Sequence, residues 1–156
     1  MSVESVKDYF RQFGMEDRIL EMEESTATVA LAAQTLGCEE KEITKTMAFL
    51  VDEQVVIICM AGDAKISNHK YKAQFHKKAR MLRGEEVPEL TGHLIGGVCP
   101  FGLKDGCTVY LDESLKRFTY VYPACGGPHA AIKLTLEELE QYSGYTAWID
   151  VCDIME

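Results

Sequence analysis

ITKTMAFLVDEQVVIICMAGD, residues 43–63, is the stretch from which the fold can be read. Two runs rich in β-branched and apolar residues meet at a tight acidic turn, Asp52 and Glu53, and that pattern predicts a β-hairpin. Successive side chains of a strand point to opposite faces. Lys45 is in phase with Ile43, Met47 and Phe49, so its ammonium shares a face with three apolar side chains. A desolvated lysine is costly unless it reaches a partner. Either it is a strand-end lysine snorkelling to water, or it is a cation aimed into a pocket and awaiting an anion such as phosphate.

Working outward from the hairpin, Val3, Val6, Phe10 and Phe13 fall on one helical face before Gly14. Arg18 to Met22 reads as a short strand. Ser25 or Thr28 can cap a second helix whose inner stripe is Val29, Ala32, Ala33 and Leu36, stopped by Gly37. Ser67 and Asn68 open a further helical turn that pairs Tyr71 with Phe75. Arg80 to Leu82 reads as a strand and "GEEVPEL" as a short helix. "CTVYLD", "RFTYVYP" and "AAIKL" are three more strands. The last leads into "TLEELEQYSG", where Thr135 and Glu138 make a capping box and Gly144 closes the helix. Helices interleaved irregularly with hairpin-like strands predict a mixed α/β fold with a mainly antiparallel or mixed sheet. Glycines that let strands bend sharply predict that the sheet is curved and barrel-like, surrounded by helices.

At 156 residues and 47% hydrophobic, the chain is long enough for one domain, 1–156, with a substantial core. Its longest apolar run, Val55 to Ala61, is far short of the roughly 20 residues of a membrane span. Met1 to Phe10 alternates charged with apolar residues and has no signal-peptide core, so a cytoplasmic protein without a membrane partner is expected. None of the six cysteines is spaced C-x-x-C or joined by a histidine at finger spacing. Reduced, mostly buried thiols and no metal site are expected. The net charge of −9 argues against a nucleic-acid partner, but its distribution does not. Lys65, Lys70, Lys72, Lys77, Lys78, Arg80 and Arg83 fall in a segment with no Asp or Glu. Segregation of this kind is an electrostatic footprint for a polyanion, although a solvated surface gives the same pattern.

Two glycine-rich loops stand out, "TGHLIGGVCPFG" at 91–102 and "ACGGPH" at 124–129. Neither is a phosphate-binding G-x-x-x-x-G-K-S/T loop or a G-x-G-x-x-G, and the first has no serine to act as nucleophile. Gly96, Gly97, Gly126 and Gly127 can leave backbone N–H groups pointing at a ligand, with Pro100 fixing the first turn. His93 and His129 adjoin these loops and suit proton transfer or a ribose hydroxyl; loop histidines are also often incidental. Cys99 and Cys125 invite a thiol-nucleophile reading, without an evident histidine–carboxylate partner in the sequence.

"ITKTMAF", "AGDAKI", "TGHLIGGVCPFG" and "YPACGGPHAAIKLTLEEL", in this order and spacing, resemble the YbaK/prolyl-tRNA synthetase-associated domain family over essentially the whole chain. The resemblance implies a barrel-like mixed sheet and hydrolysis of mischarged aminoacyl-tRNA, usually tRNA(Pro) carrying a wrong small amino acid. It needs no cofactor, and the implied partners are the acceptor end of aminoacyl-tRNA and an aminoacyl-tRNA synthetase. The family lysine matches Lys45, followed by Thr46, and the family loop matches Gly96 to Pro100. The terminal adenosine and ester would sit between them, with Lys45 holding the terminal phosphate or polarising the ester. Backbone N–H groups around Gly96 and Gly97 would serve the acyl group, and the basic segment from Lys65 through Arg80 would grip the acceptor stem. Where the cysteinyl-specific branch tends to have a tyrosine and a serine, this chain offers Met22 and Cys125. Those departures leave the amino acid open. They also leave a rival of another class: a module that binds tRNA or a synthetase without cleaving anything.

Overall fold

The computed structural model describes residues 2–155, and the hairpin is its centre. β2 (Ile43–Val51) and β3 (Gln54–Ala61) pair antiparallel from Thr44↔Ala61 to Val51↔Gln54. Asp52 adopts a φ of 56° in the turn, a left-handed conformation that Asp tolerates better than most side chains. The remaining strands are β1 (Ile19–Glu21), β4 (Ala64–Ile66), β5 (Cys107–Asp112), β6 (Tyr120–Pro123), β7 (Ala130–Ile132), β8 (Leu134–Thr135), β9 (Ala147–Ile149) and β10 (Cys152–Ile154). The main sheet runs β8-β6-β2-β3-β5-β9. β6 joins β2, β5 joins β3 and β9 joins β5 in parallel, whereas β8 is antiparallel to β6. Two antiparallel pairs, β1 with β7 and β4 with β10, stand beside it. The sheet is mixed, curved and barrel-like, as the interleaved pattern predicts.

Five helices, α1 (Ser2–Arg11), α2 (Val29–Leu36), α3 (Asn68–Phe75), α4 (Glu86–Thr91) and α5 (Leu136–Tyr142), surround it. Their ends follow local chemistry. The Thr28 hydroxyl accepts from the Leu31 N–H at 3.2 Å, capping α2, while Ser25 instead accepts from the Ala27 N–H. Ser67 caps α3, and Thr135 and Glu138 form the reciprocal capping box of α5. Gly37 closes α2 with a φ of 71°.

Both faces of the hairpin are buried. Phe49, Val56, Ile58 and Met60 pack with Val6 and Phe10 of α1, Tyr71 of α3 and Leu139 of α5 in the largest core cluster. Ala48, Val55 and Ile57 pack on the other face with Leu82 and Val109. Asp112, 1% exposed, ties the far edge together: its carboxylate accepts from the Ser114 and Val151 N–H groups, each at 2.9 Å. All six cysteines are free.

Three expectations need correction, and one segment carries structure that was not expected. Arg80–Leu82 is not a strand but an isolated bridge of Met81 to Phe49, because only the Arg80 carbonyl and Leu82 N–H reach β2. "AAIKL" is two strands broken at Lys133, β7 going to β1 and β8 to β6. Phe13 lies beyond the end of α1 and is 44% exposed, resting against the rings of Tyr9 and Tyr142. The segment after Gly144 carries two strands, β9 and β10, that its sequence does not announce.

Candidate functional site

A cavity of about 370 Å³ opens where α2 meets the start of β2. Its wall is built from four directions. The lead-in and first turn of α2 supply Thr26, Ala27, Thr28, Val29 and Ala32, and β2 supplies Ile43 to Thr46. The first glycine loop adds Gly96 and Val98, and the end of β6 with β7 adds Tyr122, Ala124 and Ala131. Tyr122 is held there by its parallel register with Ile43, and Ala124 and Ala131 face each other across an isolated bridge. The first N–H groups of a helix have no intrahelical acceptor, so the start of α2 gives this wall a positive character.

Lys45 and Tyr122 are the ionisable side chains on the wall; no carboxylate, histidine or cysteine lines it. The Lys45 ammonium donates to the Ala64 carbonyl at the start of β4 and has no carboxylate partner among the described residues. Burial pulls its pKa below the usual lysine value, with the thiol of Cys152 and the charge of Asp63 opposing weakly. Asp63 is already committed: Arg117 grips it with a guanidinium fork at 2.6 and 3.0 Å and holds its pKa down. Lys45 is thus a half-buried cation bonded only to a neutral oxygen. Thr46, its neighbour, is less free, because its hydroxyl donates to the Cys59 sulfur at 3.6 Å.

The glycine loops differ from the expectation of two ligand-facing backbones. Gly96 lines the cavity with a φ of +86°, and a Cβ there would come within 2.9 Å of the Ala27 Cβ. Its N–H has no acceptor among the described residues. Gly97 does not line the cavity, and its N–H donates to the Leu94 carbonyl at 2.9 Å. A Cβ on Gly97 would lie 2.0 Å from the Gly127 nitrogen, so this glycine is required by the packing of one loop on the other. The Gly126 N–H donates to the Gly97 carbonyl at 2.8 Å, and the Pro128 carbonyl accepts from the Thr26 backbone N–H at 2.6 Å. The second loop therefore braces the first and the lead-in of α2; Gly126 and Gly127 stay behind the wall.

Several predicted residues do not reach the cavity. His93 is fully buried, its Nε2 donates to the Phe101 carbonyl at 2.7 Å, and burial lowers its pKa. Pro100 is buried with it. Cys125 is fully buried and its pKa is raised well above the ordinary thiol value by burial, which removes it as a nucleophile. Cys99 is likewise buried, with its pKa raised by burial. Met22 and His129 sit together at the end of the β1–β7 pair, where the Met22 N–H donates to the His129 carbonyl. His129 is exposed, and its Nδ1 lies 3.1 Å from the Glu24 carbonyl. The sequence reading missed Thr26, Thr44 and Tyr122 as wall residues. Thr28 was legible as a helix cap but not as part of a site.

The basic segment starts beside the cavity, since Lys65 follows the residue that accepts from Lys45. It ends at the hairpin turn, where the Lys77 ammonium meets Asp52 at 3.2 Å and Arg80 and Leu82 bond to β2. From Lys45 to that turn β2 rises about 20 Å at roughly 3.3 Å per residue. The segment is less positive than its sequence suggests. Lys70 is held by Asp150 and Asp153, and Arg80 by Glu86. Lys65, Lys72, Lys78 and Arg83 have no ion-pair partner among the described residues. Lys65 faces Asp153 only across the β4–β10 register.

The family described as "Aminoacyl-tRNA editing domain" matches residues 23–142. The chain is 51% identical over 153 residues to the uncharacterized protein YwhH of Bacillus subtilis (strain 168), covering 97% of this chain and 98% of that one. It is 28% identical over 109 residues to EbsC of Enterococcus faecalis, named as a candidate Cys-tRNA(Pro)/Cys-tRNA(Cys) deacylase, covering 69% of this chain and 66% of that one. A crystal structure described as a candidate trans-editing enzyme for prolyl-tRNA synthetase superposes with a TM-score of 0.86 at 30% identity, covering 97% of both chains.

Proposed function

The chain belongs to the aminoacyl-tRNA editing domain family, and from that premise we propose that it hydrolyses the ester of mischarged aminoacyl-tRNA, with tRNA(Pro) carrying a wrong small amino acid as the substrate. The observation that carries this reading is the wall itself: one half-buried cation without a carboxylate partner among the described residues, a glycine N–H without an acceptor among them, and no carboxylate, histidine or cysteine to act as nucleophile or general base.

An aminoacyl ester is already activated, so positioning a water and stabilising the developing oxyanion suffice. On this reading Lys45 exchanges its bond to the Ala64 carbonyl for a phosphate of the terminal nucleotide. The Gly96 N–H, with the start of α2 opposite, receives the carbonyl oxygen. The ribose hydroxyl next to the ester takes a proton from the attacking water while passing its own proton to the departing ribose oxygen. A bond forms between the water oxygen and the acyl carbon, the bond from that carbon to the ribose oxygen breaks, and the released ribose oxygen ends protonated. The products are the free amino acid and intact tRNA.

Lys65, Lys72 and Lys78 then receive acceptor-stem phosphates along the roughly 20 Å from the cavity to the hairpin turn. Lys70, Lys77 and Arg80 contribute less, because each already faces an acid. The whole chain acts as one editing unit in the cytoplasm, alongside a synthetase. No helix of the described residues is long and apolar enough to cross a membrane. The direct test is to incubate the protein with tRNA(Pro) charged with a panel of small amino acids and follow release of each. Hydrolysis above the uncatalysed rate for at least one is expected. Tight tRNA binding with no release would make the chain a binding module instead.

A further inference from the structure

Two residues of the cavity wall carry a polar side-chain atom that the fold does not satisfy. Thr26, 6% exposed, lies in the lead-in of α2, and Thr44, 4% exposed, lies in β2. The Oγ1 of each is buried without a hydrogen-bond partner, and both residues line the same cavity. The wall around them is made largely of small apolar groups, including Ala27, Ala32, Ala124 and Ala131. A wall that needed only to be apolar would be served by valine, which has the shape of threonine and leaves no unpaired oxygen. An unmade hydrogen bond at a buried hydroxyl is a standing cost, and two in one cavity point to a ligand that satisfies them.

We propose that Thr26 and Thr44 select an acyl group with a small hydroxyl-bearing side chain, so that seryl and threonyl esters are preferred over the alanyl ester. This deepens the editing reading and rests on it. A threonine turns between staggered χ1 wells, exchanging its hydroxyl with its methyl, and so can bring Oγ1 toward an incoming ligand. A substrate hydroxyl is donor and acceptor at once. It can accept from one threonine while donating to the other. The alanyl group has no such atom and leaves both oxygens unpaired. Size alone separates serine from alanine poorly, whereas a site built to bond a hydroxyl rejects the analogue that lacks it.

The test uses tRNA(Pro) charged with serine, threonine or alanine, together with non-hydrolysable seryl- and alanyl-amide analogues of the terminal adenosine. The wild-type protein is expected to hydrolyse the seryl ester at least about tenfold faster than the alanyl ester and to bind the seryl analogue more tightly by a similar factor. Thr44→Val and Thr26→Val should each cut that ratio severalfold, the double variant should bring it near one, and Thr44→Ser should preserve the preference. A seryl-to-alanyl ratio near one in the wild type overturns the proposal. So does an unchanged ratio in valine variants that melt at higher temperature, because the hydroxyls would then be unpaired for structural reasons only. If no ester is hydrolysed, the editing reading fails, and the relative binding of the two analogues still decides whether the cavity selects a hydroxyl.

Discussion

Replacing Gly97 by alanine separates what braces the site from what touches the substrate. The added Cβ would stand 2.0 Å from the Gly127 nitrogen, 2.3 Å from its Cα and 2.4 Å from the Gly126 carbonyl carbon. All three are backbone atoms, so no side-chain rotation relieves the clash and the two loops must move apart. That motion strains the Gly126 N–H to Gly97 carbonyl bond and the Leu94 N–H to Gly126 carbonyl bond. Each contributes about 1 kcal/mol. With the overpacking cost of a closed interior, the total is on the order of 3 kcal/mol. For a chain of this size that lowers Tm by roughly 6–12 °C. The companion Gly96→Ala puts its Cβ 2.9 Å from a side-chain carbon of Ala27 at a φ of +86°, narrowing the cavity at a strain cost of about 1–2 kcal/mol. Tm and single-turnover deacylation measured on the same samples should therefore diverge. Gly97→Ala should lose mainly stability and Gly96→Ala mainly activity per folded molecule. A Gly97→Ala protein that melts like the wild type would refute the packing argument.

Three further outcomes follow from named contacts. Lys72→Glu with Lys78→Glu should weaken tRNA binding and reduce the slope of log Kd against log salt by about 1.5 or more, close to one released counterion per lost cation. Lys77→Glu, whose ammonium already faces Asp52, should change the slope less. Glu138 has its pKa lowered to about 2 by its hydrogen bond from Arg18. A depressed carboxyl contributes stability that is fully present above its ordinary value of 4.5 and is lost as pH falls toward 2. Glu138→Gln should therefore melt lower at neutral pH, by about 1 kcal/mol once exposure is discounted, and show a flatter acid limb; an acid limb identical to wild type would contradict the assignment. Because Lys45 has its pKa lowered by burial, the unfolded chain binds more protons than the folded one between the lowered value and 10.5. Stability from this group rises with pH across that window. Lys45→Met should remove that rise without lowering Tm at pH 7, which thermal melts over the pH range will check.

The hairpin, the caps of α2 and α5 and the curved mixed sheet were legible because each is written in local spacing: period two in β2 and β3, T-x-x-E at Thr135, glycine after Leu36. The three-residue strands β4, β9 and β10 were not, since so short a run shows no period and exists only through partners far along the chain. The site divides in the same way. Lys45 and Gly96 could be picked out from strand phase and an unusual backbone, whereas Thr26, Thr44 and Tyr122 become wall residues only when α2, β2 and β6 converge. Gly97 illustrates the opposite error. A glycine that looks built for a ligand is here built for another glycine pair, since a Cβ on it would meet the backbone of Gly126 and Gly127. Likewise, the basic run overstated its charge, because Asp52, Asp150 and Asp153 reach it from outside the segment.

Single-turnover deacylation of mischarged tRNA(Pro) by the wild type and by Lys45→Ala, with folding of both checked by thermal melts, tests the role of the cavity cation most directly. The prediction is measurable release by the wild type and a loss on the order of 10²-fold or more in the variant, the scale of removing one preorganised electrostatic contact. A folded Lys45→Ala protein that releases the amino acid at the wild-type rate would contradict it.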